Sequence, residues 1–259
     1  MGAVKAMNIV INDTNVKSFF EEISTLFVED SFDELILDAL SKYSNLEMIA
    51  QYSDDLGNTL LHYAVSYGYL KVAEVLVQNG ANLDQFNNDG WSPIYVAAIF
   101  NNANAIHFLA EQGADLNQSN ADGETALHFA AASNYVEAIH ALAQHGADMN
   151  HTNNNNETAL HLAAANNNIA AIDALADHDA DLDVSDSNGD TALHIATREG
   201  HVEAIKALTD KGADLNTINN DGLTPTFLAL VDKNLQAMRI LQDGQSTARQ
   251  SKGSVNSFL

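Results

Sequence analysis

A six-residue motif recurs along this chain at a fixed interval of 33 residues. Its copies read TLLHYA, SPIYVA, TALHFA, TALHLA, TALHIA and TPTFLA, and they begin at Thr59, Ser92, Thr125, Thr158, Thr191 and Thr224. A second motif keeps this register, with GANLD, GADLN, GADMN, DADLD and GADLN beginning at residues 80, 113, 146, 179 and 212. The chain is therefore an array of similar units, and each unit buries its apolar face only against its neighbours.

The third copy shows how one unit folds. Thr125 is a residue type that begins helices, because its hydroxyl accepts a hydrogen bond from an amide of the first turn. Small apolar residues follow at helical spacing until Asn134, and an apolar stripe over 136–143 predicts a second helix. Gly146 stands where a helix end favours positive φ, and Asp122-Gly123 supplies the turn before the unit. Each unit is thus predicted to be two helices and a tight turn.

These motifs resemble the ankyrin repeat, whose signature word is TPLHxA. The resemblance covers six repeats over residues 54–243 and implies an all-α fold, an ankyrin-repeat solenoid of helix pairs joined by β-hairpin loops. The apolar residues of 13–53 predict two or three helices that form an N-terminal helical cap, and the last of them belongs either to this cap or to a degenerate extra repeat. We expect residues 1–12 to form a flexible N-terminus and residues 244–259 a disordered polar tail.

Two departures from the repeat pattern concern backbone conformation. Asn156 replaces the turn glycine of the fourth repeat, and asparagine is the side chain that best tolerates positive φ. Asp179 replaces the helix-ending glycine of that repeat, which is expected to lower stability. The sequence therefore predicts that the fourth and fifth repeats are the loosest part of the array.

The charge and composition restrict the class of partner. The chain has 35 acidic and 11 basic residues, a formal net charge of −24 and no cysteine. Such an acidic surface repels nucleic-acid phosphates and anionic lipids, so we expect neither nucleic acid nor a membrane as partner. Without cysteine there is no thiolate nucleophile and no cysteine-ligated zinc. Basic protein surfaces are the better partners.

The histidines of the chain do not predict an enzyme. The motif contains His62, His128, His161 and His194, but Tyr95 and Phe227 stand at the equivalent positions of the other two repeats. A general base is not expected in four copies, and the ankyrin resemblance implies that this histidine bonds locally at the junction of hairpin and helix. His140, His145 and His151 do not have the i, i+4 spacing of a helical metal site. We therefore expect no catalytic residue, metal or cofactor.

The ankyrin resemblance implies that partners bind on a concave side, formed by the hairpin tips and the first helix of each repeat. At these positions the sequence places an aromatic and apolar group at one end, comprising Tyr67, Phe86, Trp91, Ile99 and Phe100, and an acidic group at the centre, comprising Glu124, Glu157, Asp190 and Glu199. Exposed aromatic residues are frequent interface anchors. The predicted partner offers an apolar anchor followed by basic residues. The open alternative is that the N-terminal cap folds over the aromatic group and makes it core.

These features predict a non-enzymatic protein–protein interaction scaffold that acts as a monomer in the cytoplasm and binds a partner protein through its concave groove. The alternative is a secreted effector of an intracellular bacterium that modulates a host protein in the host cytosol. Asparagine-rich runs such as HTNNNNE indicate an AT-rich genome, and the C-terminal tail is the candidate secretion signal.

Three asparagines resemble the ankyrin context recognised by the asparaginyl hydroxylase of animal cells. Asn117, Asn150 and Asn216 each follow a leucine by eight residues, an acid by two and an apolar residue by one. They are candidate hydroxylation sites, and the simpler interpretation is that they stabilise the hairpin.

Overall fold

The computed structural model describes residues 9–12, 14–28 and 33–244, and nearly all of its regular structure is helical. The chain divides into two compact units, Met1–Ala121 and Asp122–Leu259, which we call the first and the second unit. The division falls between the second and third repeats, numbered from the motif that begins at Thr59.

The described part of the first unit contains three helices of the cap and two helix pairs. These helices are α1 (Val16–Val28), α2 (Asp33–Ser41), α3 (Leu46–Gln51), α4 (Leu60–Tyr67), α5 (Leu70–Gln78), α6 (Pro93–Ile99) and α7 (Ala103–Glu111). Helix α1 packs on α4 and α2 packs on α5, while α3 contacts both α4 and α5. Helices α1 and α2, rather than the last helix of the cap, therefore occupy the place of a preceding repeat.

The N-terminal prediction of a flexible segment over 1–12 is wrong for its last residues. Strand β1 (Ile9–Val10) pairs in parallel with strand β2 (Tyr43–Ser44), and Ile11 is only 1% exposed. The backbone N–H of Ile11 donates to the carbonyl of Ser44 at 3.3 Å. Burial of the Ile11 side chain offsets the entropy lost on ordering this segment, whereas Val10 stays exposed. Residues 1–8 lie outside the described residues.

The second unit contains the other four repeats. Its helices are α8 (Ala126–Ala132), α9 (Val136–Gln144), α10 (Ala159–Ala165), α11 (Ile169–Asp177), α12 (Ala192–Glu199), α13 (Val202–Lys211) and α14 (Pro225–Val231). Residues 235–244 are also helical, so Gly244 belongs to a helix and not to the predicted tail. The rest of that tail, 245–259, lies outside the described residues.

The repeated motif begins the first helix of a pair by a reciprocal cap. Thr158 has extended backbone angles, its side chain accepts from the N–H of His161, and the Nδ1 of His161 accepts from the N–H of Thr158 at 3.0 Å. His161 thus performs the role that Glu or Gln has in the usual capping box, and it satisfies an amide that the helix leaves unpaired. The other three motif histidines form the same box.

The turn residues behave as the sequence predicts. Gly146 and Asn156 have φ values of 82° and 60°, and Asp179 also has a positive φ of 60°. The hairpin loops before the first, second, fourth, fifth and sixth repeats are each closed by a backbone bond such as Asn87 N–H to Trp91 O at 3.0 Å. The predicted fold class, helix pairs joined by hairpin-like loops, is confirmed. The expected looseness of the fourth and fifth repeats stays a prediction.

Candidate partner-binding site

A cavity of about 530 Å³ lies between the first and second repeats, and we call it the aromatic cavity. Its helical wall comes from α4 and α6 and its other wall from the two hairpin loops. The helical wall comprises His62, Tyr63, Ser66, Tyr67, Val96, Ile99 and the adjoining Phe100, and the hairpin wall comprises Asn58, Asn87, Asp89 and Trp91. An apolar cavity with a few polar groups at its edge is the usual form of a binding site.

The hairpin wall is held by a buried asparagine. The Oδ1 of Asn87 accepts from the backbone N–H of Asp89 and of Trp91, each at 3.0 Å, and its Nδ2 donates to the Oδ1 of Asn58 at 2.8 Å. The carbonyl of Trp91 lies 3.1 Å from the Nε2 of His62. Both backbone polar groups of Trp91 are therefore bonded, so its indole is presented from a fixed backbone.

Aromatic rings support the cavity from behind. The ring of Tyr95, which is buried, lies 6.1 Å from that of Trp91 with the planes at 12°. Phe27 of the cap helix α1 stacks on Tyr63 and Tyr67, with ring centroids 6.0 and 6.2 Å apart. Offset stacking of this kind adds to the energy of burial. The residues of the cavity wall are therefore packed against the cap and against Tyr95 of the second repeat.

The N-terminal cap does not bury the aromatic group in the described part of the chain. Tyr67 remains 46% exposed and Phe100 59% exposed, although Phe27 packs against Tyr67. Helix α1 thus contacts Tyr67 through Phe27 but does not bury it. In the described residues, the alternative in which the cap makes this group core therefore does not hold for Tyr67 and Phe100.

Tyr63 connects the helical wall to the hairpin of the first repeat. Its hydroxyl donates to the Oδ2 of Asp54 at 2.7 Å. Burial and this hydrogen bond to a carboxylate raise the pKa of Tyr63 to about 12, so the hydroxyl remains protonated at neutral pH. The other carboxylate oxygen of Asp54 accepts from the N–H of Asn58 at 2.8 Å. The first hairpin is thereby tied to the helix that follows it.

Four of the five predicted apolar residues line the cavity together: Tyr67, Trp91, Ile99 and Phe100. Phe86 is 40% exposed but lies outside the cavity lining. It lies in the loop before the second hairpin, outside the helices that form the cavity wall. The predicted apolar group is therefore a cavity of four residues with one separate exposed phenylalanine.

The predicted acidic residues belong to the second unit and differ in exposure. Glu199 is exposed, and Glu124 and Glu157 are half-buried. The carboxylate of Glu157 accepts from the Nδ2 of Asn153 at 2.9 Å, so part of its charge is used within its own hairpin.

Asp190 is not an exposed acidic contact, and its prediction is wrong. Its side chain is fully buried, the Nη1 of Arg198 lies 2.5 Å from its Oδ2, and the Nδ2 of Asn219 donates to its Oδ1 at 2.7 Å. Burial acts to raise the pKa of Asp190, but these two bonds outweigh it and hold the pKa below the usual value. The ion pair with the guanidinium allows the carboxylate to be buried, since an unpaired charge is costly to remove from water. Arg198, which sequence reasoning missed, decides the outcome.

The motif histidines are structural, as expected. Each Nδ1 accepts the capping N–H, and each Nε2 lies 3.0 or 3.1 Å from a carbonyl of the next repeat, namely that of Trp91, Glu157, Asp190 or Leu223. Burial lowers the pKa of all four side chains. This geometry is that of neutral imidazoles that join one repeat to the following hairpin.

His140 has a partner that the local sequence did not indicate. Its Nδ1 lies 2.9 Å from the Nε2 of His178, which is 38 residues away in the chain. The residues that the structure describes contain no group of three or more histidines, aspartates or glutamates placed to hold a metal ion. No helix among the described residues is long and apolar enough to span a membrane.

The three candidate hydroxylation sites lie at the inter-repeat loops. The Oδ1 of Asn150 accepts from the N–H of Asp181 in the next repeat at 2.8 Å, and the Nδ2 of Asn216 donates to Asp214 at 3.1 Å. The backbone N–H of Asn117 donates to Asp115 at 2.9 Å. These contacts support the simpler interpretation that the asparagines stabilise the loops, and hydroxylation stays a prediction.

Comparison with known proteins gives one consistent result. A family model for ankyrin repeats in three copies matches residues 25–120, 79–153, 127–219 and 179–251. An ankyrin repeat protein of fowlpox virus (strain NVSL) is 35% identical over 79 residues, which cover 30% of this chain and 21% of the viral protein. The chain therefore matches only about a fifth of that relative's length. The crystal structure of an ankyrin repeat domain from Acinetobacter baumannii AYE is similar, with 25% identity and a TM-score of 0.66, over 72% of this chain and 97% of that domain.

Proposed function

Because the chain belongs to the ankyrin-repeat family, whose repeats are protein–protein interaction modules, we propose that it binds a partner protein through the aromatic cavity. The observation that carries this proposal is the exposure of Tyr67 and Phe100 beside that cavity. Large aromatic side chains in open positions are the usual anchor sites of protein interfaces. The partner presents an apolar anchor side chain that fills the space between α4 and α6.

The charge distribution supports a partner with basic residues after this anchor. No lysine or arginine occurs between Lys71 and Arg198, and the chain carries a net charge of −24. Arg198 itself is paired with the buried Asp190. The repeats between these two residues thus carry acidic groups without basic neighbours in the sequence, which favours a positively charged segment and speeds its association.

The proposed role is that of a non-catalytic scaffold. His62 lines the cavity, but its Nδ1 accepts from the N–H of Thr59 and its Nε2 bonds to Trp91. A general base needs a ring nitrogen that faces the substrate. Both nitrogens of His62 are used within the protein, so the cavity serves binding.

A selection from a displayed random peptide library tests the proposal. We expect enriched peptides that combine an apolar residue with arginine or lysine. Their affinity should fall by more than about tenfold in the Trp91→Ala, Phe100→Ala double variant, because both rings line the cavity. Circular dichroism would establish that both proteins fold.

The matched control is Phe227→Ala, which removes a phenylalanine of similar exposure from α14. Its peptide affinities should equal those of the unmodified protein. Enriched peptides that bind the double variant as well as the unmodified protein would show that the aromatic cavity is not the binding site.

A further inference from the structure

The aromatic cavity has two chemically different ends. Val96, Ile99 and Phe100 give its helical end an apolar character, which suits the proposed apolar anchor. The hairpin end is instead lined by Trp91 and Asp89, whose side chains carry an indole and a carboxylate. An aliphatic side chain has neither a hydrogen-bond donor nor a positive charge to pair with a carboxylate. The hairpin end therefore suits a different group of the partner.

The carboxylate of Asp89 is free in the described part of the chain. Asn87 bonds to the backbone N–H of Asp89, but no described residue forms a hydrogen bond or ion pair with its carboxylate. The nearest lysines and arginines along the sequence are Lys71 and Arg198, neither of which lines the cavity. A carboxylate beside an aromatic ring in a cleft attracts a cation from outside, since both groups favour positive charge.

From this arrangement we infer that the hairpin end of the cavity binds the guanidinium of an arginine in the partner, stacked on Trp91 and paired with Asp89. This inference rests on the proposed function and names the basic residue that accompanies the apolar anchor. A guanidinium is planar, weakly hydrated and rich in N–H donors, so it stacks on an indole while it bonds to a carboxylate. The aliphatic stem of arginine covers the neighbouring apolar wall. A lysine ammonium is compact and strongly hydrated, and it fits this pair of groups less well.

The hairpin is already arranged for this contact. The Oδ1 of Asn87 holds the N–H groups of Asp89 and Trp91, and His62 holds the carbonyl of Trp91. Little backbone ordering is then needed when the arginine binds, which leaves more of the interaction energy for affinity. The cavity of about 530 Å³ accommodates an arginine at one end and an apolar side chain at the other.

Trp91 is the only tryptophan of the chain, so its fluorescence reports on this site directly. The probes are N-acetyl-arginine methylamide, its neutral citrulline analogue and its lysine analogue, titrated into the full chain. We expect saturable fluorescence changes with the arginine probe and about tenfold weaker binding of citrulline, because citrulline lacks the charge. The lysine probe should bind more weakly than arginine. Equal binding of arginine and citrulline would overturn the inference.

Asp89→Asn keeps the shape of the side chain and removes its charge, so it should weaken arginine binding by about tenfold. The matched control is Asp221→Asn, at the equivalent position of the sixth hairpin, where Asn219 bonds to the backbone N–H in the same way at 3.1 Å. This control should leave the affinity unchanged. Unchanged affinity in Asp89→Asn would overturn the inference.

The outcome is separable from that of the proposed function. Displayed peptides that require Trp91 and Phe100, together with no saturable response to the arginine probe, would refute the inference and leave the proposed function standing. A specific arginine response, together with peptides that bind independently of Trp91 and Phe100, would show that the hairpin end binds a guanidinium, but it would refute the proposed function and with it the assignment of that arginine to the partner.

Discussion

The hairpins of the second and fifth repeats share one backbone frame and present different surfaces. Trp91 and Asp190 each follow the turn glycine. The N–H of Trp91 bonds to Asn87 at 3.0 Å and that of Asp190 to Asp186 at 2.8 Å. The carbonyl of each lies 3.1 Å from a motif histidine of the preceding repeat. The indole nevertheless lines an open cavity, whereas the carboxylate is fully buried.

One part of the difference lies in a residue of the following helix. Arg198 stands at the end of α12, where its guanidinium reaches Asp190. The equivalent residue of the second repeat is Ile99, which carries no charge and lines the cavity beside Trp91. The repeat backbone thus provides a position, and the residue eight places later helps to decide whether its side chain lines an open cavity or is buried.

The largest expected effect concerns the motif histidines, which bond to the hairpin carbonyls in both regions. The four motif histidines have folded pKa values below the ordinary 6.5, so the folded state binds fewer protons than the unfolded state just below that pH. Stability is therefore complete above pH 6.5 and falls as the pH drops from 6.5 toward the lowered folded values. Each histidine contributes at most about 1.4 kcal/mol per pH unit in this window.

Urea unfolding at pH 7.5, 6.5 and 5.5 measures this effect. Proton NMR of the imidazoles should show all four titrating below 6.5 in the folded protein. A free energy of unfolding that does not change between pH 7.5 and 5.5 would contradict neutral capping histidines as the source of stability.

A second test gives the fifth repeat the residue of the second. Arg198→Ile leaves the buried Asp190 without its cation, and removal of one partner of a buried pair costs about 3 kcal/mol. The free energy of unfolding in urea measures the loss. Lys206→Ala is the control, because Lys206 pairs with Asp210 on the surface, where both side chains are well exposed. That pair should contribute less than about 1 kcal/mol. Equal losses in the two variants would mean that burial does not distinguish them.

The smallest expected effect concerns the residue with positive φ that ends the helix before each of the two hairpin loops. The loop to the second hairpin follows Gly80 at φ 85°, whereas the loop to the fifth follows Asp179 at φ 60°. Asp179→Gly should stabilise the protein by about 0.5–1 kcal/mol, because glycine adopts positive φ without a steric cost. Hydrogen exchange should then slow in the fourth and fifth repeats. An unchanged or lower stability would indicate that Asp179 is not strained there.

Local rules account for the part of the fold that the sequence predicts well. Thr158 and His161 are three residues apart, and their capping bonds lie within one helical turn. The positive φ values of Gly146 and Asn156 also depend on the residue and its immediate neighbours. Such features repeat with the motif, so the register of the array, the helix pairs and the structural role of the histidines can be derived without coordinates.

Contacts between repeats account for what the sequence did not predict. Asp190 is buried through Asn219 of the next repeat, and His140 meets a histidine 38 residues away. The pairing of β1 with β2 and the packing of α1 and α2 as a preceding helix pair likewise join segments without a shared motif. Each of these outcomes depends on single side chains that vary between repeats.

The sequence by itself determined which residues cap the helices, form the turns and make up the buried stripe of each repeat. These interactions act over a few residues and recur every 33 residues. Only the tertiary structure decided which hairpin side chains line an open cavity and which are buried. Trp91 stays accessible because Ile99 and Phe100 border a cavity, and Asp190 is withdrawn because Arg198 supplies the charge it needs for burial. Periodicity sets the positions of these side chains, but the energy of burying or exposing them depends on the neighbours that the packed repeats bring to them.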